Sequence, residues 1–268
     1  MPITTMDDFI AGLTGSPQEI PIYYGSSTTA VGGYANLNNT FGGNLYNQSL
    51  TPSTPLIPTD ATRGYPPLTA PAAGQSLYLA RWGFASSVIQ SCALYDRVYQ
   101  VGGFSGTSTA TQNIAQTATL PATRAPDSGL GLEIWLESYD ATGATASNVT
   151  VTYTNSDGIT GRTATAAMIA NFPIGRMLRI PLQDGDSGVA SVQSVRLSAS
   201  TGAAGNFGLA LLRRKAVVHI SSANTGIVQD FVALGMPVID PDAALQFVQL
   251  SGSTGTGPTW GSLTLISA

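Results

Sequence analysis

Alternating apolar and polar residues between positions 148 and 220 predict β-strands. Over residues 149–154 three apolar side chains alternate with three threonines, so an extended chain places the apolar groups on one face and the hydroxyls on the other. Asn, Ser, Asp and Gly, which are residue types of tight turns, follow at residues 155–158. Residues 159–165 resume the extended pattern, and we therefore expect a β-hairpin.

The same period-two pattern recurs through the chain from residue 77 onwards and predicts about ten short strands. Within residues 130–137, leucine and isoleucine alternate with Gly131, Glu133, Trp135 and Glu137, which indicates an aliphatic inward face. Short strands at this spacing are typical of β-sandwiches. We predict an all-β fold with a jelly-roll-type β-sandwich as the first choice and separate β-subdomains as the alternative.

Residues 1–15 are predicted to form a short amphipathic helix over residues 6–13. Thr5 is a favourable N-cap residue, and two aspartates follow it in the first turn. The apolar residues fall at i, i+3, i+4 and i+7, on one helical face: Met6, Phe9, Ile10 and Leu13. A helix this short is only marginally stable by itself. We therefore expect its apolar face to dock on this subunit's own body or on a neighbour.

Residues 16–76 are rich in glycine and proline, which prevents any long regular element. The segment nevertheless carries too many aromatic side chains for a disordered linker. We expect an extended arm that lies either over the β-body at residues 77–268 or over an adjacent subunit. The predicted partner-binding residues are apolar residues of the helix and the arm: Met6, Phe9, Ile10, Leu13, Tyr23, Tyr24, Tyr34 and Phe41.

The composition favours a protein whose surfaces are buried against partners. Charged residues make up 10% of the chain, against roughly 25% in typical soluble domains. The net charge of −4 argues against a nucleic-acid-binding surface, which needs clustered Lys and Arg. No apolar run reaches the ~18 residues of a membrane span, and the start of the chain is unlike a signal peptide. We expect synthesis in a cytosol, and a buried, unreactive thiol at Cys92.

The sequence 185–188 echoes the nucleophile loop of trypsin-like proteases, with Ser187 in the place of the nucleophile. Such a serine requires a histidine base and an orienting aspartate. The only histidine, His219, follows this serine, whereas that family places its histidine well before it. We therefore interpret the segment as a polar turn.

Other candidate chemistry is equally weak. His219 lacks the further ligands that zinc requires, and the acidic pairs of the chain lack the spacing of a calcium loop. Glu133 and Glu137 are four residues apart, so both side chains lie on one face of a strand and could supply the two carboxylates of a glycosidase. An exposed acidic face around Trp135 is the preferred interpretation. We expect no catalytic residue, no cofactor and no metal.

Several stretches resemble a family of virion structural proteins from tailed bacteriophages and prophages. They lie at the start and in the β-body: MPITTMDD at residues 1–8, LYDR at 94–97, VTYTN at 151–155, GRT at 161–163, VQSVRLSASTG at 192–202 and LLRR at 211–214. The likeness does not extend to the arm between residues 25 and 71. These stretches concern family membership and contain no active site.

The resemblance implies a non-enzymatic component of the particle, and a capsid decoration or cement protein is the favoured role. Such proteins are often trimers with jelly-roll bodies. The implied partners are therefore the major capsid protein and further copies of this chain, on the exterior of a virion assembled in the bacterial host cytoplasm. A tail, neck or baseplate component is the alternative within virions. Outside them, the alternative is a carbohydrate-binding or hydrolytic β-sandwich with Trp82, Trp135 or Trp260 as a sugar platform.

Overall fold

The computed structural model describes residues 3, 5–26, 32–40, 54–115 and 119–268. Phe41, one of the predicted partner-binding residues, lies outside these ranges. The helical segments are α1 (Met6–Thr14), a 3-10 helix (Leu37–Thr40), α2 (Pro126–Gly129) and α3 (Phe231–Leu234). The strands are β1 (Gln18–Tyr24), β2 (Tyr34–Asn36), β3 (Leu77–Ser86), β4 (Gln90–Phe104), β5 (Gln112–Asn113), β6 (Leu132–Asp140), β7 (Ser147–Asn155), β8 (Arg162–Met168), β9 (Arg176–Ile180), β10 (Val189–Leu197), β11 (Asn206–Ile220), β12 (Thr225–Gln229), β13 (Val238–Ile239), β14 (Leu245–Ser251) and β15 (Thr259–Ser267).

These strands form two sheets and a closed barrel. Sheet I has the order β1-β15-β3-β12, with β13 also pairing with β3, and sheet II has the order β5-β10-β7-β8. The barrel has the order β11-β4-β14-β2-β9-β6. The predicted all-β fold with a short N-terminal helix is confirmed, as an arrangement of sandwich-like and barrel-like sheets.

Each sheet packs on a different part of the barrel. Between sheet I and the barrel, Trp82 and Phe84 of β3 pack with Phe247 of β14. Between sheet II and the barrel, Val151 of β7 lies in one cluster with Leu209 of β11. The two 15-residue strands, β4 and β11, contribute side chains to both clusters. These continuous strands join the two cores into one body, in place of separate subdomains.

The predicted hairpin is confirmed in sheet II. β7 pairs antiparallel with β8, and the apolar residues of β7 are buried while its threonines are half-buried. The returning strand begins at Arg162, three residues later than predicted. Asn155 explains the difference, because its Oδ1 accepts hydrogen bonds from the backbone N–H groups of Asp157 and Ile159 and so holds a wider turn.

Asp186 ties the turn at residues 183–188 to this hairpin. Its carboxylate accepts hydrogen bonds from the Tyr153 hydroxyl, from Asn155 Nδ2 at 2.7 Å and from Arg162 Nε at 2.9 Å. These bonds, with the one from Arg162 as the largest contribution, lower the pKa of Asp186 to about 2. The segment is a polar turn with a structural role.

Helix α1 begins and ends within one residue of its predicted limits. Thr5 and Asp8 form a capping box, in which Thr5 Oγ1 accepts from the N–H of Asp8 and Asp8 Oδ2 accepts from the N–H of Thr5. Phe9 is buried, with its ring centroid 4.1 Å from that of Phe231 in α3. The helix therefore docks on this subunit's own body.

The segment expected to be an extended arm contributes strands to the body. β1 pairs with β15 along its whole length, and β2 enters the barrel between β14 and β9. Ile20, Ile22 and Tyr24 point into the core between sheet I and the barrel. Pro21, which has no backbone donor, is tolerated because β1 is an edge strand. These parts of the arm lie on their own β-body.

The expected exposed acidic face of β6 is wrong for Glu137, which is fully buried. Arg97 Nη1 lies 2.5 Å from Glu137 Oε2, and Asn36 Nδ2 donates to Oε1 at 2.7 Å. Arg97 Nη2 also donates to the Tyr139 hydroxyl at 3.0 Å. Because six strands close into a barrel, the second face of β6 points into the barrel and not into solvent. A carboxylate buried there needs a paired cation.

A second buried ion pair connects β4 with the segment between β5 and α2. Arg124 donates to Asp96 through two nitrogens, Nε at 3.1 Å and Nη2 at 2.6 Å, which is the bidentate geometry of strong pairs. Arg124 Nη1 also donates to the carbonyl oxygen of Pro58 at 2.6 Å. Pro58, which precedes β3, and Arg124, which follows β5, are thereby both attached to the barrel.

Removing one member of the Arg97–Glu137 pair should destabilise the protein more than removing both. Glu137→Gln removes the carboxylate that pairs with the buried Arg97 guanidinium, and we expect the unfolding free energy to fall by about 3–5 kcal/mol. The double variant Arg97→Met, Glu137→Leu should lose less, because neither charge of this pair remains. Urea denaturation measures both, with the exposed Asp157→Asn as a control expected within about 0.5 kcal/mol of wild type. Equal losses in the single and double variants would contradict this account.

Asp186 should make stability depend on pH in the acid range. The folded-state pKa is lowered from 3.8 to about 2, so its stabilisation is fully present above about pH 4 and is lost as the pH falls towards 2. Asp186→Asn should therefore be less stable than wild type at neutral pH, and this difference should shrink below about pH 4. Thermal unfolding measured over this pH range tests the prediction. A difference that stays constant down to about pH 2 would contradict it.

Candidate functional site

Sheet I packs on the barrel with one face and turns the other face outwards. Because the even-numbered residues of β1 from 20 to 24 are buried in the core, strand alternation turns Glu19, Pro21 and Tyr23 outwards. The Tyr23 side chain is 61% exposed. The outward side of this sheet therefore starts, at its edge, with a large aromatic side chain in solvent.

Tyr23 is paired directly with Trp260 of β15. Opposite residues on antiparallel strands have Cβ atoms ~4.5–5.5 Å apart, so the two side chains leave the sheet next to each other. Trp260 is 42% exposed. The next cross-strand neighbours in this row are Ala85 of β3 and Gly226 of β12, whose side chains are too small to cover the two rings. Exposed aromatic side chains on such a flat surface are typical of interaction sites.

Helix α1 lies on the same outward side, at the other end of β15. Gly12 packs against Ile266, and a Cβ at this glycine would lie 3.2 Å from the Ile266 side chain. Ile266 is six residues from Trp260, which corresponds to roughly 20 Å along a strand. Phe9 holds the helix on the body, while Met6 is 56% and Ile10 is 49% exposed.

Shorter elements complete this surface. Val232 of α3 follows Phe231, which packs with Phe9, and Val238 of β13 is paired with Tyr78 of the same outer cluster. In the described part of the chain, eight of the fourteen exposed large apolar residues lie on this side. We call them the apolar face: Met6, Ile10, Leu13, Tyr23, Val228, Val232, Val238 and Trp260.

The structure separates the predicted partner-binding residues into three groups. Met6, Ile10, Leu13 and Tyr23 are exposed members of the apolar face. Phe9 and Tyr24 are buried within the chain, Phe9 against Phe231 and Tyr24 with its ring centroid 5.6 Å from that of Phe247. Tyr34 is half-buried and stands edge-on to Trp135, with centroids 4.9 Å apart.

Four residues of the apolar face were not among the predicted partner-binding residues: Val228, Val232, Val238 and Trp260, the last of which was named only as a possible sugar platform. For Trp260 a signal was present, since an aromatic residue begins the closing strand beside Gly261 and Ser262. The valines carry no comparable signal. An exposed valine and a buried valine look alike in sequence until strand pairing shows which face each one occupies.

The residues considered for catalysis do not form a catalytic group. Ser187 lies in the polar turn that Asp186 holds, whereas Nδ1 of His219 is 2.8 Å from Ser91 Oγ. Cys92 is fully buried as predicted, and burial raises the pKa of its thiol. In the described ranges, no cluster of three or more His, Cys, Asp or Glu side chains is placed to hold a metal ion.

The tryptophans do not support the sugar-platform alternative as it was framed. Trp82 and Trp135 are 0% and 1% exposed, so neither forms an open platform on the protein surface. Trp260 alone of the three is on the surface, as a member of the apolar face. None of the helices in the described ranges has the length and hydropathy to cross a membrane.

Comparison with known proteins gives a weak likeness to viral coat proteins. No family model and no curated protein matches the sequence. Among solved structures, VP2 of an infectious bursal disease virus subviral particle is 9% identical with a TM-score of 0.23, covering 94% of this chain and 80% of that chain. Particles with T=1 symmetry derived from the same virus give 10% identity and a TM-score of 0.23, covering 94% of this chain and 77% of that chain. Likenesses at such low TM-scores carry no conclusion about this chain.

Proposed function

We propose that this chain is a structural protein of a tailed-phage virion that binds the outside of the major capsid lattice and stabilises the head. The observation that carries the proposal is the concentration of exposed apolar side chains on the apolar face. Large apolar side chains that are exposed together, as at the Tyr23–Trp260 pair and along α1, mark interaction sites. The sequence resemblance to virion structural proteins of tailed phages is the reason for choosing the capsid as the partner.

Binding through the apolar face works by removing apolar surface from water, at roughly 25 cal/mol for each Å² buried. Tyr23 and Trp260 are the expected anchors, because rigid aromatic side chains carry much of the energy in many interfaces. Helix α1 presents Met6 and Ile10 in a conformation that its capping box already holds, so little backbone entropy is lost on binding. A trimer would multiply these contacts, since several linked sites then bind at once.

A tail, neck or baseplate component is the second candidate, because the resemblance is to virion structural proteins as a class. The two roles differ in copy number. A decoration protein occupies the head lattice many times, whereas a neck or tail component forms one ring in each particle. Quantitative mass spectrometry of purified virions therefore separates them.

Replacing both aromatic anchors should weaken capsid binding strongly. In the double variant Tyr23→Ser, Trp260→Ser we expect the affinity for expanded, undecorated capsids to fall about 30-fold or more, which corresponds to the ~2 kcal/mol of an interface hot spot. Co-sedimentation with capsids measures occupancy. Ile159→Ser is the matched control, because Ile159 is 53% exposed but lies at the hairpin turn of sheet II. Wild-type occupancy in the aromatic double variant, with its fold intact by circular dichroism, would overturn the proposal.

The helix should contribute to the same contact. Met6→Ser together with Ile10→Ser removes two exposed side chains of α1 and leaves the buried Phe9 in place, so we expect an unchanged fold and a weaker capsid interaction. The measurement is capsid occupancy over a range of protein concentrations. Substituting these residues is sharper than deleting residues 1–15, because a deletion would also uncover Ile266. Unchanged occupancy would remove α1 from the contact.

A further inference from the structure

One end of the barrel contains a small cavity of about 180 Å³, and several of its polar lining groups have no role in holding the described part of the chain together. Its walls include the aromatic side chains of Tyr34, Tyr95 and Trp135, together with aliphatic groups such as Val217 and Val248. Polar and cationic side chains lie around it: Ser91, Arg179, Arg214 and His219. None of these residues belongs to the apolar face.

The acid beside this cavity, Glu133, already has its hydrogen bonds. Its Oε2 accepts from Trp135 Nε1 at 2.9 Å and from the Tyr95 hydroxyl at 3.2 Å, and Arg179 Nη2 lies 3.2 Å from Oε1. Desolvation by burial and the Glu133 carboxylate both raise the pKa of Tyr95, so the phenol keeps the proton that it donates. Glu133 therefore requires no further cation.

Arg214, unlike Arg179, is not paired with an acidic side chain among the described residues. It is exposed, lines the cavity and makes no hydrogen bond or ion pair with any part of the chain that the structure describes. Nearby, Ser91 Oγ is hydrogen-bonded to Nδ1 of His219 at 2.8 Å. Nε2 of this imidazole can therefore bond to another partner. Unused hydrogen-bonding groups thus remain at the cavity, and one of them carries a full positive charge.

Arg214 carries the positive charge that the described residues leave uncompensated at the cavity. The second cationic lining residue, Arg179, is paired with Glu133. A guanidinium presents a planar set of donors that matches a carboxylate. The cavity therefore selects an anion, and its aromatic and aliphatic walls select one attached to an apolar surface.

We propose that this cavity binds one acidic monosaccharide ring, with the carboxylate on Arg214, hydroxyls on Ser91 and His219, and the C–H surface of the ring on the Tyr34 side of the wall. Its volume is below the ~300–1,000 Å³ of sites for drug-sized ligands, which fits a single ring. The neutral hydrogen-bonding groups beside the arginine match a ligand whose hydroxyls lie next to its charge. An acidic amino-acid side chain has no such hydroxyls.

An adjoining cavity gives space for the rest of a glycan. Arg179 and Arg214 also line this second cavity, which has a volume of about 590 Å³ and extends to the turn that contains Asp184 and Ser187. Its polar lining suits a sugar, and the carboxylates of Glu133, Asp184 and Asp186 in that lining favour an uncharged one. The arrangement fits a glycan in which an acidic residue is followed by a neutral residue.

Titration calorimetry on the full chain with methyl β-D-glucuronide, and with the neutral methyl β-D-glucoside, tests the proposal. We expect saturable binding of the glucuronide and at least about tenfold weaker binding of the glucoside, because the charge-assisted hydrogen bond is missing. Arg214→Gln should weaken glucuronide binding by a similar factor. Arg196→Gln is the matched control and should bind as wild type, since Arg196 is exposed on β10 and donates to the Thr109 carbonyl away from the cavity.

Three results would overturn the proposal: no saturable binding of the glucuronide, equal binding of the two sugars, or unchanged binding in Arg214→Gln. N-acetylglutamate amide provides a further arm. If it binds as tightly as the glucuronide, the sugar assignment is wrong and the cavity is a site for an acidic side chain of a polypeptide. Because the probes are free sugars and no capsid is present, these outcomes are independent of those that test capsid binding.

Discussion

The buried ion pair between Arg97 and Glu137 is the contact on which the architecture depends. It joins β4 to β6 across the barrel, and Asn36 brings β2 to the same carboxylate. A buried charge without a partner is far more costly than a misplaced apolar group, so a shift of any of these strands that separated the two charges would be strongly disfavoured. The pair thereby specifies how the barrel strands align. Both sheets pack on the surface that this alignment creates.

The barrel also determines why sheets I and II differ in their outward residues. Each sheet buries one face on the barrel, and strand alternation presents the other face to the surroundings. In sheet II, β7 presents threonines on that face, which suits water. In sheet I the equivalent positions include Tyr23 and Trp260, and helix α1 extends the apolar surface further. The polar residues Glu19, Ser262 and Thr264 lie between this aromatic pair and the helix, so the apolar side chains are concentrated at the two ends of the outward face.

Local patterns in the sequence predicted local structure well. The alternation in β7, the turn residues after it and the capping residue Thr5 gave the hairpin and α1 to within a few residues, because these features depend on neighbours in sequence. The prediction failed at Glu137, because it assumed that the second face of β6 is exposed to solvent. Barrel closure puts that face inside, and closure depends on strands that are distant in sequence. Only half of the exposed residues of the apolar face were named from the sequence for the same reason, since strand pairing alone places Trp260 beside Tyr23.

The pairing of β1 with β15 has a consequence for the order of events during synthesis. Glu19 on β1 and Thr264 on β15 are hydrogen-bonded although 245 positions separate them, so sheet I lacks its central partner strand until the ribosome has made residues 259–267. Contacts between such distant segments form late, because a long loop must close first. The paired aromatic rings of Tyr23 and Trp260 are consequently brought together only after β15 has been made. A nascent chain that lacks β15 therefore has neither this aromatic pair nor the sheet that holds it.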